Sequence, residues 1–238
     1  GWQLNLAECK KTSLKDFKVA IWSNDELAPV SKEIAQRCEE VGNKLNSVGT
    51  TVSFAAKPEH DFMKAEINYQ LLLQSVMQSG LPEDEYQKIE ELASSLDKND
   101  LSVDAILAKG TVLSHRNWLR QNYAREQIKI SWSKFFEEWD VLICPQLATT
   151  AIEHDHKKIS ERTVMVDNQE QRYFQQIFWP GLAVNAHLPS TVFPTGLSSD
   201  GMPIGLQVIG GAYEDKTTIK FAELYEEEFK TFVVPNLD

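Results

Sequence analysis

Leu188-Pro-Ser-Thr-Val-Phe-Pro-Thr-Gly196 and, after a short loop, Asp200-Gly-Met-Pro-Ile-Gly-Leu-Gln-Val-Ile-Gly210 decide how this chain is read. Two apolar, β-prone runs, Ser190–Phe193 and Ile204–Ile209, flank a linker rich in Gly, Pro and Ser. That is the pattern of strand, turn and strand. The second run is apolar apart from Gln207, as expected of a buried strand. Pro194 and Pro203 have no N–H to give to a ladder and are expected at strand ends.

Working outward, Phe17–Trp22 alternates and is rich in β-formers, so it reads as a strand. Ser31 is placed to cap a helix that runs to about Val48, with Ile34, Cys38, Val41, Leu45 and Val48 at helical spacing and Gly49 just past its end. Thr51–Ala56 is a second strand. A strand, helix and strand with short connections form a βαβ unit, which predicts parallel strands and a right-handed crossover. Asp61 caps the next helix, whose apolar face is Phe62, Ala65, Tyr69, Leu72, Leu73 and Val76. Gly80 and Pro82 end it. A more polar helix is expected over about Glu83–Leu96, and helical tendency from Val103 to Trp139 is interrupted near Gly110 or Ser114.

Asp140–Cys144 is a compact apolar run ending at Pro145, read as a buried strand. Ile152–Thr163 reads as a charged surface loop. Gln169–Leu182 reads as a helix carrying Phe174, Phe178 and Trp179 before Pro180-Gly181. The last helix, about Glu214–Phe229, is expected to turn Ile219, Leu224 and Phe229 inward. No repeat or linker stands out, so the organisation expected is one α/β domain over residues 1–238, with 1–16 as a lead-in.

Composition narrows the function classes. The 238 residues are 42% hydrophobic and 25% charged, ordinary for a globular protein. The net charge of −11 speaks against nucleic acid or an anionic membrane surface as partner. The cysteines, Cys9, Cys38 and Cys144, are isolated and odd in number, which favours reduced thiols over a disulfide framework or zinc site. No apolar run approaches the roughly 18 residues of a membrane span.

Catalytic constellations are mostly missing. The chain has neither G-x-x-x-x-G-K-[ST] nor G-x-G-x-x-G, and no G-x-S-x-G elbow. Gly210-Gly211 reads as a strand end rather than a phosphate cradle. His154 and His156 have the spacing of a metal pair on a strand, but they sit in a charge run. A metal-dependent hydrolase using them is one alternative; a solvated loop is the other. Cys144 reads as a buried small hydrophobe before it reads as a nucleophile. His115 and His187 belong to no local catalytic motif. Phe178 and Trp179 either pack in the core or line an apolar pocket.

Asp200–Gly210 resembles the C-terminal signature of the amidase signature family, D-G-L-P-x-G-x-Q-x-x-G. Leu188–Gly196 resembles that family's L-P-A-x-x-x-P-x-G, and Glu214-Asp215 its E-D before the final helix. Trp139-Asp-Val-Leu-Ile-Cys-Pro145 with Ala151 is similar to D-x-x-x-x-P-T-x-x-x-x-A, with Gln146 replacing the usual Thr. Trp2-x-Leu4 and Leu14–Ile21 resemble the W-x-L … L-x-G-x-R-I-G-V entry to the second half of such enzymes. His187 stands where the family often has glycine.

The resemblance implies a mixed β-sheet flanked by helices, the C-terminal part of the amidase signature fold. It implies hydrolysis of carboxylic amide C–N bonds through a serine acyl-enzyme, with a Lys–Ser–Ser relay carried by the other half. This chain holds no Gly/Ser-rich nucleophile run, so no catalytic residue is assigned, and no metal or cofactor is implied. A fragment inactive alone is the expectation, with the N-terminal half of the same enzyme as partner and a small-molecule amide as substrate of the whole. The alternatives are a non-catalytic binding or assembly module and one chain of a split amidase. By position, Gln146, Thr149, Thr150, Phe178 and Trp179 are the candidates for pocket lining. A cytoplasmic protein is expected, and an exposed sheet edge favours a homo-oligomer.

Overall fold

The computed structural model describes residues 1–157 and 161–235. In chain order the elements are β1 (Lys18–Ile21), α1 (Lys32–Ser47), β2 (Thr51–Ser53), α2 (Phe62–Met77), α3 (Glu83–Ser95), α4 (Val103–Thr111), α5 (His115–Glu138), β3 (Val141–Pro145), β4 (Thr163–Val166), β5 (Gln169–Arg172), α6 (Phe178–Ala186), β6 (Ser190–Leu197), β7 (Pro203–Gly210) and α7 (Asp215–Phe229). They fall into two compact units. One comprises Gly1–Pro58 and everything from Trp132 onward; the other is Glu59–Ser131.

The first unit is built on a five-stranded mixed sheet in the order β2-β1-β3-β7-β6. β1 runs parallel to β2 and to β3, and β7 runs antiparallel to β3 and to β6. Ala20 lies opposite Leu142, Ile143 opposite Val208, and Phe193 opposite Leu206. Alternation sends Val19, Ile21, Val141, Ile143, Phe193, Leu206 and Val208 into one buried cluster with Cys38, Val41 and Leu45 of α1 and Phe221, Leu224 and Tyr225 of α7. Each large aliphatic or aromatic side chain covered this way contributes roughly 1.5–3 kcal/mol. β3 is buried at every position, as the central strand of a covered sheet must be.

Three local expectations are corrected. Gln169–Arg172 is not helical: β4 and β5 form an antiparallel hairpin, turned by Asp167 in the left-handed region at φ 52°. The alternation Val164, Val166, Gln171 buried against exposed neighbours carries this pattern, but four-residue strands give it little length. Pro180 lies in the first turn of α6, where a missing N–H costs nothing. Pro194 lies within β6 rather than at its end. β6 is an edge strand, and the register shifts between Pro194 and Leu197, so the lost donor is tolerated. Ile219 is 58% exposed; the inward face of α7 is Thr217, Thr218, Phe221, Leu224 and Tyr225.

The second unit is helical. Asp61 caps α2 by accepting from Lys64 N–H at 3.0 Å, and Ser102 caps α4 by accepting from Ala105 N–H at 3.4 Å. α2 and α4 pack closely at Gly110. A Cβ there would lie 2.8 Å from Gln74 Cβ and 3.2 Å from the Leu71 backbone. α2 buries a polar row, Asn68, Gln70 and Gln74, beside its apolar residues.

Candidate functional site

In open α/β sheets ligands bind outside the carboxyl ends of parallel strands, at the point where the chain switches direction across the sheet. Here that point lies between β1 and β3: α1 carries the chain from β1 to β2 on one side, while β3 is the parallel neighbour on the other. The segments leaving these carboxyl ends are Trp22–Ser31 and Gln146–Thr150.

A ring of amides fastens these segments together. Trp22 N–H donates to Ile143 C=O at 2.9 Å, and Ser31 N–H to Ala148 C=O at 2.8 Å. Ala148 N–H donates to Gln176 Oε1 at 3.1 Å. Gln176 Nε2 donates to Gln171 Oε1 at 3.3 Å, and Gln171 Nε2 to Pro29 C=O at 2.9 Å. Asn24 Oδ1 accepts from Val30 N–H at 3.0 Å, and Gln175 Nε2 donates to Leu27 C=O at 3.0 Å. Primary amides suit this task because each offers a donor and an acceptor to backbone that has no strand partner.

Gln207 makes the deepest of these contacts. It is 1% exposed, and its Nε2 donates to Pro145 C=O at 3.0 Å and to Trp179 C=O at 2.8 Å. Its Oε1 accepts from Ser190 Oγ at 3.0 Å. One side chain therefore pins the exit of β3, the start of α6 and the start of β6. The lone polar residue in an apolar strand was the sequence signal for it. Gln171, Gln175 and Gln176 gave no such signal, since Gln in a polar stretch reads as surface.

Trp22, Phe178 and Trp179 form the apolar floor. The Trp22–Trp179 and Phe178–Trp179 centroids are 5.4 and 5.2 Å apart, both edge-to-face. Trp179 Nε1 donates to Ala28 C=O at 3.1 Å, which satisfies its one polar atom in a fully buried position. Lys57 Nζ lies 4.3 Å from the Trp22 ring centroid and 3.6 Å from Asp25 Oδ2.

The structure brings Phe178 and Trp179 together, buried. Gln146, Thr149 and Thr150 are half-buried on the segment after β3, around the buried Ala148. Gln207 holds the carbonyl of Pro145, the residue before Gln146, together with that of Trp179.

The remaining chemical candidates are placed as follows. Cys144 is fully buried, and burial holds its thiol well above the ordinary range, the wrong direction for a thiolate nucleophile. His154 and His156 are exposed with ring centroids 6.3 Å apart, and no group of three His, Cys, Asp or Glu suited to a metal occurs among the described residues. His115 begins α5 and is exposed. His187 closes α6 in the left-handed region at φ 55°. Glycine at this point is a backbone preference of the helix terminus.

In the helical unit, His60 Nδ1 lies 3.0 Å from Ser131 Oγ, which donates to Glu59 C=O at 3.0 Å. With the hydroxyl hydrogen committed to a carbonyl, Nδ1 is the donor of the pair, and this serine is not activated.

Comparison with known proteins accords with the architecture. The Amidase family profile matches residues 3–219. The chain belongs to the amidase family. Among curated amidase-family relatives, a subunit of the glutamyl-tRNA(Gln) amidotransferase of Oceanobacillus iheyensis is 26% identical over 238 aligned residues, covering 92% of this chain and 46% of the relative. The corresponding protein from Thermosynechococcus vestitus is 36% identical over 111 residues, 46% of this chain and 21% of the relative.

Among solved structures, the corresponding glutamyl-tRNA(Gln) amidotransferase subunit of Thermotoga maritima aligns with a TM-score of 0.64 at 16% identity, covering 95% of this chain and 46% of that one. A bacterial aryl acylamidase of the amidase signature family aligns at 0.62 and 17% identity, covering 89% and 43%. The chain thus spans about half the length or less of the amidases it matches. Among the described residues, no helix is long and apolar enough to cross a membrane.

Proposed function

We propose that this chain is the C-terminal portion of an amidase that hydrolyses carboxylic amide C–N bonds through a serine acyl-enzyme, and that it is inactive alone. The observation that carries this reading is one of coverage: the match takes in nine-tenths of this chain but less than half of relatives such as the Oceanobacillus protein. The chain has no Gly/Ser-rich nucleophile run, and its described His–Ser pair is wired as a structural clamp. Its part is to complete the sheet and to supply the amide-fastened wall at the carboxyl ends of β1 and β3. Gln146, Thr149 and Thr150 then face the substrate from that wall, above a floor of Phe178 and Trp179. Its partner is the N-terminal half, its substrate a small amide, and its setting the cytoplasm.

A second reading makes the chain one component of a split amidase; relatives such as the Oceanobacillus protein are named as amidotransferase subunits, each about twice the length of this chain. Serine-directed labelling tests the common core of both. A fluorophosphonate probe should leave the purified chain unlabelled, and the chain should release no ammonia or amine from small aryl or aliphatic amides. Stoichiometric labelling that one Ser→Ala substitution abolishes contradicts the proposal.

A further inference from the structure

We propose that the helical unit Glu59–Ser131 carries a binding cleft for a monocarboxylate with an apolar tail. The cleft has a volume of about 590 Å³, within the range of small-molecule sites. Leu71, Leu96 and Val112 line its apolar part, and Lys98, Lys109 and Arg120 bring cations to it. None of its described lining residues is acidic, although the chain as a whole carries a net charge of −11.

Two nearby carboxylates accept from backbone N–H groups. Asp97 Oδ1 accepts from Asn99 N–H at 2.7 Å, and Asp100 Oδ1 from Ser102 N–H at 2.8 Å. Lys109 also attracts the nearby Asp100 carboxylate, which is held below the ordinary range chiefly by the Ser102 N–H and in part by this charge. Lys109 Nζ is fixed by the backbone carbonyls of Asp97, Lys98 and Asp100 at 2.7, 3.2 and 2.8 Å. Carbonyl oxygens orient an ammonium without cancelling its charge; Asp100 offsets part of it, so the positive character of the cleft rests on Lys98, Lys109 and Arg120 together.

The start of α5 adds to the same field. Ser114 and Asn117 line the cleft, and the first turn of this 24-residue helix has no acidic residue but holds His115 and Arg116. A helix N-terminus carries about half a positive charge, which acids usually offset. Here no acid stands in the first turn; Ser114 Oγ accepts from Asn117 N–H at 3.3 Å, and the remaining partial positive charge adds to that of the cleft's basic side chains. The apolar lining rejects a fully hydrated inorganic ion, so the anion that fits carries a hydrocarbon portion.

The proposal does not rest on the amidase reading, and its test involves no turnover. Isothermal titration of the full chain with octanoate, octylammonium and acetate is the experiment. Octanoate should bind one to one, at least tenfold more tightly than either of the others. The double variant Lys98→Glu/Arg120→Glu, exposed positions with little effect on folding, should weaken octanoate at least tenfold, and Ala93→Trp, which fills the cleft without changing charge, should do the same. Circular dichroism checks that each variant is folded. Octanoate binding no tighter than octylammonium, or unchanged in a folded variant of either kind, overturns the proposal.

Discussion

Gln207 Nε2 donates to the carbonyl of Trp179 at 2.8 Å, across the boundary between the sheet and the first turn of α6. The same nitrogen reaches Pro145 C=O at 3.0 Å, so removing it strands two carbonyls in a site without water access. Each buried acceptor left unpaired costs about 1–3 kcal/mol. Gln207→Leu should therefore destabilise the chain by about 2–5 kcal/mol in urea unfolding. Gln146→Ala, on the half-buried segment beside it, should stay within about 0.5 kcal/mol. Equal losses would show that Gln207 is not the fastening point.

His187 holds a left-handed backbone at the end of α6. A non-glycine residue there carries a steric cost of about 1–2 kcal/mol. His187→Gly is expected to raise stability by about 1 kcal/mol, seen as a higher urea midpoint at unchanged slope. His187→Ala should give no such gain, which separates backbone relief from loss of the imidazole.

Arg37 joins α1 to the irregular end of β6. Its Nη1 donates to Thr195 C=O at 2.6 Å and its Nη2 to Leu197 C=O at 2.9 Å, around Gly196 at φ 110°. Only a planar guanidinium spans both carbonyls. Arg37→Leu should cost about 2–3 kcal/mol, and Arg37→Lys should recover less than half of it. Hydrogen exchange should quicken at Thr195–Met202 in both variants.

His60 is pushed down to about 4 by burial, against an opposing pull from Asp61. The unfolded chain takes up the proton near pH 6.5, and the folded chain only near pH 4. Its contribution to stability is complete above about pH 6.5 and is lost as pH falls from there toward 4. His60→Gln should flatten this part of the stability–pH curve, measured by urea midpoints between pH 4 and 7. An unchanged slope would mean that other groups carry it.

Much of the sheet unit was legible because its elements are local and periodic. The βαβ unit, the capped helix from Ser31 and the apolar run at Val141–Pro145 each carry their signal within a few residues. Ile219 was misplaced because a single apolar residue on a helix is indistinguishable from its neighbours until the packed face is known. The β4–β5 hairpin escaped because two four-residue strands are too short for periodicity to outweigh the aromatic run after them. The amide ring was illegible for another reason. Gln171, Gln175 and Gln176 are polar letters in a polar stretch, and only the fold shows that they hold the segments leaving β1 and β3. Cleft residues of the helical unit lie far apart in sequence, so their shared charge appears only once the helices pack.

Amide hydrolysis by the chain, alone and after co-expression with an amidase-family N-terminal segment bearing the lysine and the Gly/Ser-rich nucleophile run, tests the central claim most directly. The account predicts no release of amine or ammonia from the chain alone. It predicts turnover from the co-purified pair, lost when the nucleophilic serine of the added segment is changed to alanine. Turnover by the chain alone, or turnover by the pair that survives that serine change, would contradict it.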